Sequence, residues 1–546
     1  MSYWTKLLGL TLGLLTLAPL SAQSKGAAEK KRDNKFNYVQ AVDVFGSSLA
    51  LLDRYFVDSI DIKRLSRIGL DNMLESLDPY TEYYSAEDSD KLKLLTTGAY
   101  GGIGSVISQR PDSTVIINDP MEGMPAALAG LRAGDVILEV DGQDFRKSTS
   151  DKVSAALKGA PGSKITLLVQ RPGETKPRKI EFRRQKIQVS PVSYYGALPS
   201  GYGYIALTSF PNTAASEVKK AFLELKEKHH IKGLILDLRD NGGGLIDEAI
   251  KIVNFFVPAG EEVVTTRGRN ARLQETIYKT TDKPLDTEIP LVVLINAQSA
   301  SSSEIVSGAL QDLDRAVVMG VKSYGKGLVQ TTMQLPYDGT IKLTTAKYYI
   351  PSGRCIQRID YHSLREGKGA TILPDSLTKV FHTRAGREVR DAGGILPDIT
   401  LPVDTLPTMV YYLRASNDAF DWITDYVRQH RTIPAPKDFK LSDADYADFS
   451  QRMIDKKFDY DRQSSKELKK LEELARFEGY YSKSKEAFET LQKLFVPDLK
   501  HDLQYHRPYI EQYLTSAILT RYYYNRGALE LSLIHISEPT RRTPIS

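Results

Sequence analysis

Two segments of the chain carry residue types that together could cleave a covalent bond. Residues 296–305 read NAQSASSSEI and follow the apolar run PLVVLI at residues 290–295. Residues 323–330 read SYGKGLVQ and place Lys326 twenty-five positions after Ser301. A serine hydroxyl is a weak nucleophile until a base removes its proton, and a lysine can be that base where burial keeps its amine neutral. The two segments therefore predict a Ser-Lys hydrolase.

Each segment also has a simpler interpretation. A serine at the start of a helix is usually a cap, because its oxygen accepts a hydrogen bond from an unpaired backbone N–H. Residues 320–327, GVKSYGKG, approach the phosphate-binding pattern GxxxxGK[ST]. Gly327 stands where that pattern needs a hydroxyl, and residues 328–335 (LVQTTMQL) alternate like a strand where a phosphate site needs a helix. We therefore set the nucleotide-binding interpretation aside.

Composition places the chain among ordinary globular proteins. Its 546 residues are 41% hydrophobic and 26% charged, which is enough for several domains with their own cores. The 73 basic and 68 acidic residues leave a net charge of +5, which gives no argument for nucleic acid or another acidic partner. The single cysteine, Cys355, cannot form an internal disulfide, and no Cys/His spacing indicates a metal site. We expect neither a metal nor a cofactor.

The first 22 residues have the pattern of a secretory signal peptide. Lys6 supplies the positive end, and residues 7–20 are apolar but short for a membrane span. Small residues offer a cleavage point after Ala22. We expect an exported protein of the bacterial periplasm, or a membrane-associated one if the signal stays uncleaved. The polar residues 23–37 are interpreted as a linker.

Four regions follow, each with its own pattern. Residues 38–89 have apolar residues at helical spacing, and residues 90–185 read as short strands with glycine-bracketed turns. In residues 186–403 strands and helices alternate, which predicts a largely parallel sheet covered by helices. The predicted core strands are residues 202–210, 233–238 and 291–296, and the predicted helices are residues 214–228, 245–256 and 301–313.

The end of the chain divides at residue 531. Residues 404–531 are charged and helical in pattern, and they could form either a docking platform or a solvated helical cap. Residues 532–546 do not continue this pattern and resemble a translated sequencing-adapter tail. We interpret them as a non-native or disordered tail and expect them to pack against nothing.

Several motifs occur in an order that identifies a family. They are LDPYT at residues 77–81, a PDZ-like segment at 101–162, DLRDNGGG at 237–244, SASSSEI at 299–305, SYGKGLVQ at 323–330 and TTAKYYIPSG at 344–353. Over roughly residues 40–402 the chain resembles the carboxyl-terminal processing proteases, also called tail-specific proteases. The resemblance implies a multidomain α/β protein. Its parts are a crotonase-like αβα protease core, an inserted β-rich PDZ domain, an N-terminal helical segment and a C-terminal helical region.

The resemblance also implies roles for single residues. The family's nucleophile falls on Ser301, its base on Lys326, and the residue that orients the lysine on Gln330. The family commonly has alanine where this chain has Ser302, so four serines lie within five residues. The Glu-Ile pair that follows the cluster selects Ser301 in the alignment. Two of the other serines, Ser299 and Ser303, are interpreted as caps or turn formers.

A glycine cluster suits the oxyanion of such a reaction. A tetrahedral intermediate needs backbone N–H donors aimed at its negative oxygen, and glycines let the backbone approach a ligand closely. The resemblance implies that the donors are the N–H groups of Ser302 and of Gly243 or Gly242. Family members often have proline where this chain has Gly242. A plain turn remains the alternative for each glycine.

The PDZ-like segment indicates how substrates are chosen. Such domains bind an extended peptide as an added strand and hold its terminal carboxylate in a nest of backbone N–H groups. The resemblance places this carboxylate loop on five consecutive residues, Tyr100, Gly101, Gly102, Ile103 and Gly104.

These observations predict an exported serine endopeptidase that recognises substrate C-termini through its PDZ domain. It would act in processing or quality control of envelope proteins by a Ser-Lys(-Gln) mechanism. The expected partners are proteins or peptides with free C-termini and envelope adaptor proteins, without nucleic acid. The oligomeric state is open, with a homodimer as one option. The alternative function is a non-proteolytic PDZ scaffold that binds protein C-termini.

Overall fold

The computed structural model describes residues 25–269, 275–366, 369–372, 374–402, 406–495 and 498–537. The chain divides into two compact units, residues 1–83 and residues 84–546. The predicted signal peptide, residues 1–22, lies outside the described residues. None of the described helices combines the length and the apolar character that crossing a membrane requires.

The first unit is helical. It contains α1 (Lys25–Tyr55) and α2 (Ile62–Glu75). The side chain of Asp61 caps α2 by accepting the backbone N–H of Arg64 at 3.0 Å. Helix α1 begins at Lys25, within the residues 23–37 that the sequence predicts to be a linker, and the linking role of these residues stays a prediction. Residues 25–37 (KGAAEKKRDNKFN) include four lysines and two alanines, and these residue types favour a helix even without an apolar face.

Two short elements lead from the helices into the next domain. They are β1 (Glu82–Tyr84) and α3 (Ser89–Thr97). Helix α3 lies in the second unit and spans the boundary predicted between residues 89 and 90.

The predicted β-rich domain is confirmed. Its elements are β2 (Ala99–Gly102), β3 (Ser105–Gln109), β4 (Val115–Pro120), α4 (Pro125–Leu128), β5 (Val136–Val140), β6 (Gln143–Asp144), α5 (Ser150–Leu157), β7 (Lys164–Gln170), β8 (Arg178–Arg183) and β9 (Gln185–Gln188). An antiparallel sheet has the order β3-β4-β5-β7-β8, with β6 paired to β5, and β2 pairs with β9. Strand β7 alternates in burial and contributes Ile165, Leu167 and Val169 to a core shared with α5.

The alternation of strands and helices predicted for residues 186–403 is also confirmed. Its elements are β10 (Val192–Ala197), β11 (Gly203–Leu207), α6 (Ala214–His229), β12 (Leu234–Asp237), α7 (Ile246–Asn254), β13 (Glu262–Gly268), β14 (Thr276–Lys279), β15 (Leu291–Ile295), α8 (Ser302–Asp312), β16 (Val317–Gly320), β17 (Leu328–Gln334), β18 (Thr340–Tyr349), β19 (Ile359–Asp360), β20 (Thr371–Ile372), β21 (Val380–His382), β22 (Glu388–Arg390) and β23 (Ile399–Thr400).

Two sheets organise this core. The larger has the order β10-β11-β12-β15-β16-β23, and all of its strands after β10 run parallel. The other contains β17, β18, β13 and β14, paired antiparallel. Every residue of α8 is buried, and the apolar faces of α6, α7 and α8 share one core with the parallel strands. The carboxyl ends of β12 and β15 therefore lie side by side, where active sites of parallel sheets form.

The C-terminal region is helical, as predicted, and has its own core. It consists of α9 (Thr408–Ala415), α10 (Asn417–Gln429), α11 (Asp443–Asp455), α12 (Gln463–Phe477), α13 (Tyr481–Leu494), α14 (Leu499–Tyr505) and α15 (Arg507–Ser537). Trp422, Phe449 and Leu514 are among its buried residues. Helix α15 continues six residues past the boundary predicted at 531, and residues 538–546 lie outside the described residues. Whether the tail is native stays a prediction.

Candidate active site

Ser301 lies at the turn between β15 and α8. Strand β15 ends at Ile295 and α8 begins at Ser302, so Ser301 follows the carboxyl end of a central parallel strand. Its φ of 57° and ψ of −115° lie in a region that residues with a side chain rarely occupy. Such a conformation costs about 1–3 kcal/mol and persists only where the surroundings impose it, which is common at active sites.

The other three serines of the cluster bond to backbone carbonyls. The hydroxyl of Ser299 donates to Leu238 O at 2.8 Å, that of Ser302 to Gly244 O at 2.9 Å, and that of Ser303 to Asn241 O at 2.8 Å. All three side chains are completely buried, whereas Ser301 is half-buried. Within the described part of the chain, Ser301 is thus the one serine of the four whose hydroxyl does not donate to a carbonyl. This geometry favours Ser301 as the nucleophile.

A buried carboxylate links the two segments that could do chemistry. Glu304, in the first turn of α8, accepts the backbone N–H of Ser301 and that of Lys326, each at 2.9 Å and both through Oε2. Its Oε1 accepts Gly325 N at 2.7 Å and the hydroxyl of Ser323 at 2.5 Å. Burial raises the pKa of Glu304 to about 7, although the four hydrogen bonds act in the opposite direction.

Tyr348 joins the same two residues through their carbonyl groups. Its hydroxyl lies 2.5 Å from Lys326 O and 3.2 Å from Ser301 O, and the tyrosine is 1% exposed. Together with the Glu304 contact, the backbones of Ser301 and Lys326 are held on both their donor and their acceptor sides. The structure therefore brings the predicted nucleophile and the predicted base together across twenty-five residues of sequence.

Lys326 and Gln330 lie on one continuous stretch of chain. Lys326 is half-buried in the loop between β16 and β17, and Gln330 is the third residue of β17. The amide nitrogen of Gln330 donates to Thr344 Oγ1 of β18 at 3.1 Å. This bond leaves the amide oxygen as the acceptor for a lysine amine, while the orienting role of Gln330 remains a prediction.

Hydrogen bonds connect the glycine turn, residues 240–244, to the loop of residues 296–301 that carries Ser301. Asn241, which is fully buried, accepts Ala300 N at 3.0 Å through its backbone carbonyl, and its amide nitrogen donates to Leu207 O at 2.7 Å. At the preceding residue, Asp240 N donates to Asn296 Oδ1 at 3.0 Å, and the Asn296 amide donates back to Asp240 Oδ1 at 2.8 Å. These bonds fix the distance between the candidate oxyanion donors and Ser301.

The two candidate glycines differ in their surroundings. Gly243 has φ 97°, and a Cβ there would lie 2.7 Å from Ser301 Cβ and 2.9 Å from Ser302 N. Its N–H donates to Asn241 Oδ1 at 2.9 Å. A Cβ at Gly242 would meet open space. Within the described residues, the N–H groups of Gly242 and Ser302 have no acceptor, so both are available to an oxyanion.

The predicted carboxylate loop begins in β2 and ends before β3. Tyr100, Gly101 and Gly102 belong to β2, and burial raises the pKa of Tyr100. The carbonyl groups of Ile103 and Gly104 accept Ala126 N at 2.8 Å and Met121 N at 3.0 Å. The N–H groups of Ile103 and Gly104 have no acceptor in the part of the chain that the structure describes. Adjacent unpaired backbone N–H groups can bind an anion such as a carboxylate, and the peptide-binding role of this loop stays a prediction.

Sequence reasoning missed the roles of Glu304 and Tyr348. For Glu304 a signal existed, because Ser301 and Glu304 have the spacing of a capping box, in which the glutamate accepts the N–H of the capping residue. For Tyr348 no local signal existed, since it lies 47 positions after Ser301. In the described residues, no group of three or more His, Cys, Asp or Glu side chains is arranged to hold a metal ion.

Three family models match parts of the chain. Residues 201–363 match peptidase family S41, residues 116–171 match a PDZ domain, and residues 409–538 match the C-terminal helical domain of probable PDZ-proteases. The three matches correspond to the parallel-sheet core, the inserted β-rich domain and the final helical region.

Similar proteins include processing proteases. A carboxy-terminal-processing protease of Bartonella bacilliformis is 37% identical over 332 residues, covering 60% of this chain and 75% of its own length. A probable CtpA-like serine protease of Staphylococcus aureus is 35% identical over 327 residues, covering 60% of this chain and 62% of its own length. A solved photosystem II D1 C-terminal processing protease has 28% sequence identity, covers 69% of this chain and 97% of its own, and gives a TM-score of 0.36.

Proposed function

The chain belongs to the carboxy-terminal-processing proteases of peptidase family S41, and from this membership we propose that Ser301, Lys326 and Gln330 are its catalytic residues. It is a serine-type peptidase that carries a PDZ domain. The contact that most directly supports the assignment is the single Glu304 oxygen that accepts the N–H groups of both Ser301 and Lys326. A carboxylate in this position holds the backbones of the proposed nucleophile and base close to each other.

The proposed reaction is a two-step acyl transfer. Neutral Lys326 takes the proton of Ser301 as Oγ attacks the peptide carbonyl, and the oxyanion is held by the N–H of Ser302 and a glycine N–H of the turn. The C–N bond then breaks, and the protonated lysine gives its proton to the leaving amine. A water molecule attacks the acyl-enzyme, with Lys326 again taking the proton. The ester C–O bond then breaks, the protonated lysine returns its proton to Ser301 Oγ, and the acid is released as a new C-terminus. Gln330 orients the lysine throughout.

Substrate choice is assigned to the PDZ domain. The unengaged N–H groups of Ile103 and Gly104, together with the edge strand β3, support binding of a free C-terminus by strand addition. When the PDZ domain binds the C-terminus of a substrate, the local concentration of that substrate near Ser301 rises. The substrates are therefore unfolded polypeptides with an accessible C-terminal carboxylate.

The test is cleavage of a permanently unfolded polypeptide, followed by mass spectrometry of the products. Wild type should cleave it, and Ser301→Ala should lower kcat by about 10⁶-fold, as loss of a serine nucleophile does. Ser303→Ala is the matched control, because it removes a neighbouring hydroxyl that only bonds to Asn241 O. Full activity of Ser301→Ala would refute the assignment. Binding of tail peptides by wild type without any cleavage would favour the alternative, a PDZ scaffold.

The location is proposed from the sequence alone. The basic start, the apolar residues 7–20 and the small residues before position 23 support export to the bacterial envelope. Fractionation of cells that produce the full chain, with N-terminal sequencing of the mature protein, tests this. Cytoplasmic protein with an intact N-terminus would refute it.

A further inference from the structure

Strand β17 is an open edge beside the candidate active site. It begins two residues after Lys326 and carries Gln330. Among the described strands it pairs only with β18. The second half of the strand and the hairpin turn after it, residues 331–338, are all exposed. Met333 is 40% exposed and Tyr337, in the hairpin turn, is 97% exposed.

This edge lacks the features that usually protect one. Exposed edge strands pair with other chains unless charges, prolines or a cover prevent it. The sequence of β17, LVQTTMQ, contains no charge and no proline. By contrast, the edge strand β8 of the PDZ sheet reads RKIEFR and has four charged residues. Strand β3, the edge expected to receive the substrate tail, reads SVISQ and is uncharged like β17.

The register shows which backbone groups of β17 point outward. Leu335 N donates to Gly339 O at 2.8 Å at the hairpin turn. Because hydrogen-bonded pairs alternate along an antiparallel ladder, Met333 bonds to Ile341 of β18 in the same way. The backbone N–H and C=O groups of Gln330, Thr332 and Gln334 therefore face away from β18.

We propose that the open edge of β17 binds the main chain of the polypeptide substrate, which adds to it as an extended strand. This inference rests on the proposed proteolytic function and specifies how the substrate reaches the site. The outward groups of Gln330 and Thr332 pair with the substrate backbone, so the scissile bond lies toward the Lys326 end of the strand. Main-chain pairing makes little use of side chains, which suits an enzyme that selects by the tail and cuts varied sequences.

A proline at position 332 tests the edge directly. Proline removes the outward N–H of Thr332 but no ladder bond to β18, and edge strands tolerate it. We expect Thr332→Pro to lower kcat/KM on an unfolded polypeptide at least about fivefold, as loss of a main-chain hydrogen bond does. The matched control Thr332→Val keeps the N–H and should cleave like wild type.

A second measurement uses the substrate backbone. In a synthetic substrate peptide, N-methylation of single amides on one side of the scissile bond should slow cleavage at every second position, because alternate amides face β17. Equal effects at successive positions, or unchanged cleavage by Thr332→Pro, would overturn the proposal.

The fold of the proline variant is checked with a small phosphonate reagent for activated serines, which needs no strand pairing. Thr332→Pro should react at the wild-type rate. Slower labelling of this variant together with an alternating N-methylation pattern still supports the proposal, whereas slower labelling without that pattern overturns it. Wild type that neither cleaves nor reacts would instead refute the proteolytic function itself.

Discussion

Glu304 accepts the backbone N–H of Lys326 at 2.9 Å, through the same carboxylate oxygen that accepts the N–H of Ser301. The carboxylate lies in the first turn of α8, and the lysine lies in the loop that leads to β17. One buried side chain thus couples the two sheets at the point where chemistry is proposed. Four donors converge on it, so its ionised form is the one that satisfies them all.

Replacement of Glu304 by glutamine should therefore impair catalysis. The amide presents an NH₂ group to donors that need an acceptor, so we expect kcat to fall at least about tenfold. In wild type, kcat should rise with pH through about 7 as the carboxyl ionises. The matched control is Glu248→Gln, which changes a buried glutamate in the first turn of α7 that accepts Ala215 N at 2.8 Å. The control should leave the pH profile of kcat unchanged.

Stability should change with pH in the opposite direction. Burial raises the pKa of Glu304 from 4.5 to about 7, so the folded protein binds more protons than the unfolded chain between these values. The free energy of unfolding of wild type should fall by up to about 3 kcal/mol as pH rises from about 4.5 to about 7. Denaturant unfolding at both pH values measures this, and Glu304→Gln should lack this part of the dependence. An unchanged slope in the variant would contradict the assignment.

The role of Lys326 as base is tested by arginine. Guanidinium keeps its proton in proteins, so Lys326→Arg should be inactive even if it fills the same space. Lys322→Arg, four residues earlier in the same loop, should retain activity. The measurement is the single-turnover rate on a peptide substrate over a range of pH. An active Lys326→Arg enzyme would mean that the lysine contributes only charge.

The glycine turn offers a matched pair of substitutions. Gly243→Ala places a Cβ 2.7 Å from Ser301 Cβ at a φ of 97°, so it should displace the nucleophile and lower kcat by about 10²-fold or more. Gly242→Ala adds the same group in open space and keeps the N–H, so its kcat should stay near that of wild type. Equal losses of kcat in both variants would contradict the proposal that the loss comes from the contact between the new Cβ and Ser301.

Much of this geometry followed from local sequence. Apolar residues at strand or helix spacing located β12, β15, α7 and α8, and their apolar side chains share one core. The structure was needed to distinguish Ser301 from the other three serines. Only its hydrogen bonds show that the hydroxyls of Ser299, Ser302 and Ser303 donate to backbone carbonyl groups. These contacts join residues 58–62 positions apart, which no local pattern encodes.

Two other features were not predictable for different reasons. Tyr348 reaches Ser301 and Lys326 only because β18 folds back beside β17, so its role depends on tertiary pairing. The helical start at Lys25 was not predicted, because residues 25–37 have no apolar residues at helical spacing. The function of Glu304 was accessible in principle from its capping-box spacing.

Recognition of the substrate tail gives a last prediction. A substrate with a free C-terminus should be cleaved with about tenfold higher kcat/KM than the same substrate with an amidated C-terminus, because the amide lacks the charge that the N–H groups of Ile103 and Gly104 accept. The measurement compares the two at low substrate concentration. Gly104→Ala is the accompanying variant, because Gly104 has φ 70° and a Cβ there would lie 2.4 Å from Met124 Cβ. This variant should cleave both substrates at the slower rate, since its loop no longer distinguishes carboxylate from amide. Equal rates for the two substrates in wild type would mean that the PDZ domain does not read the tail.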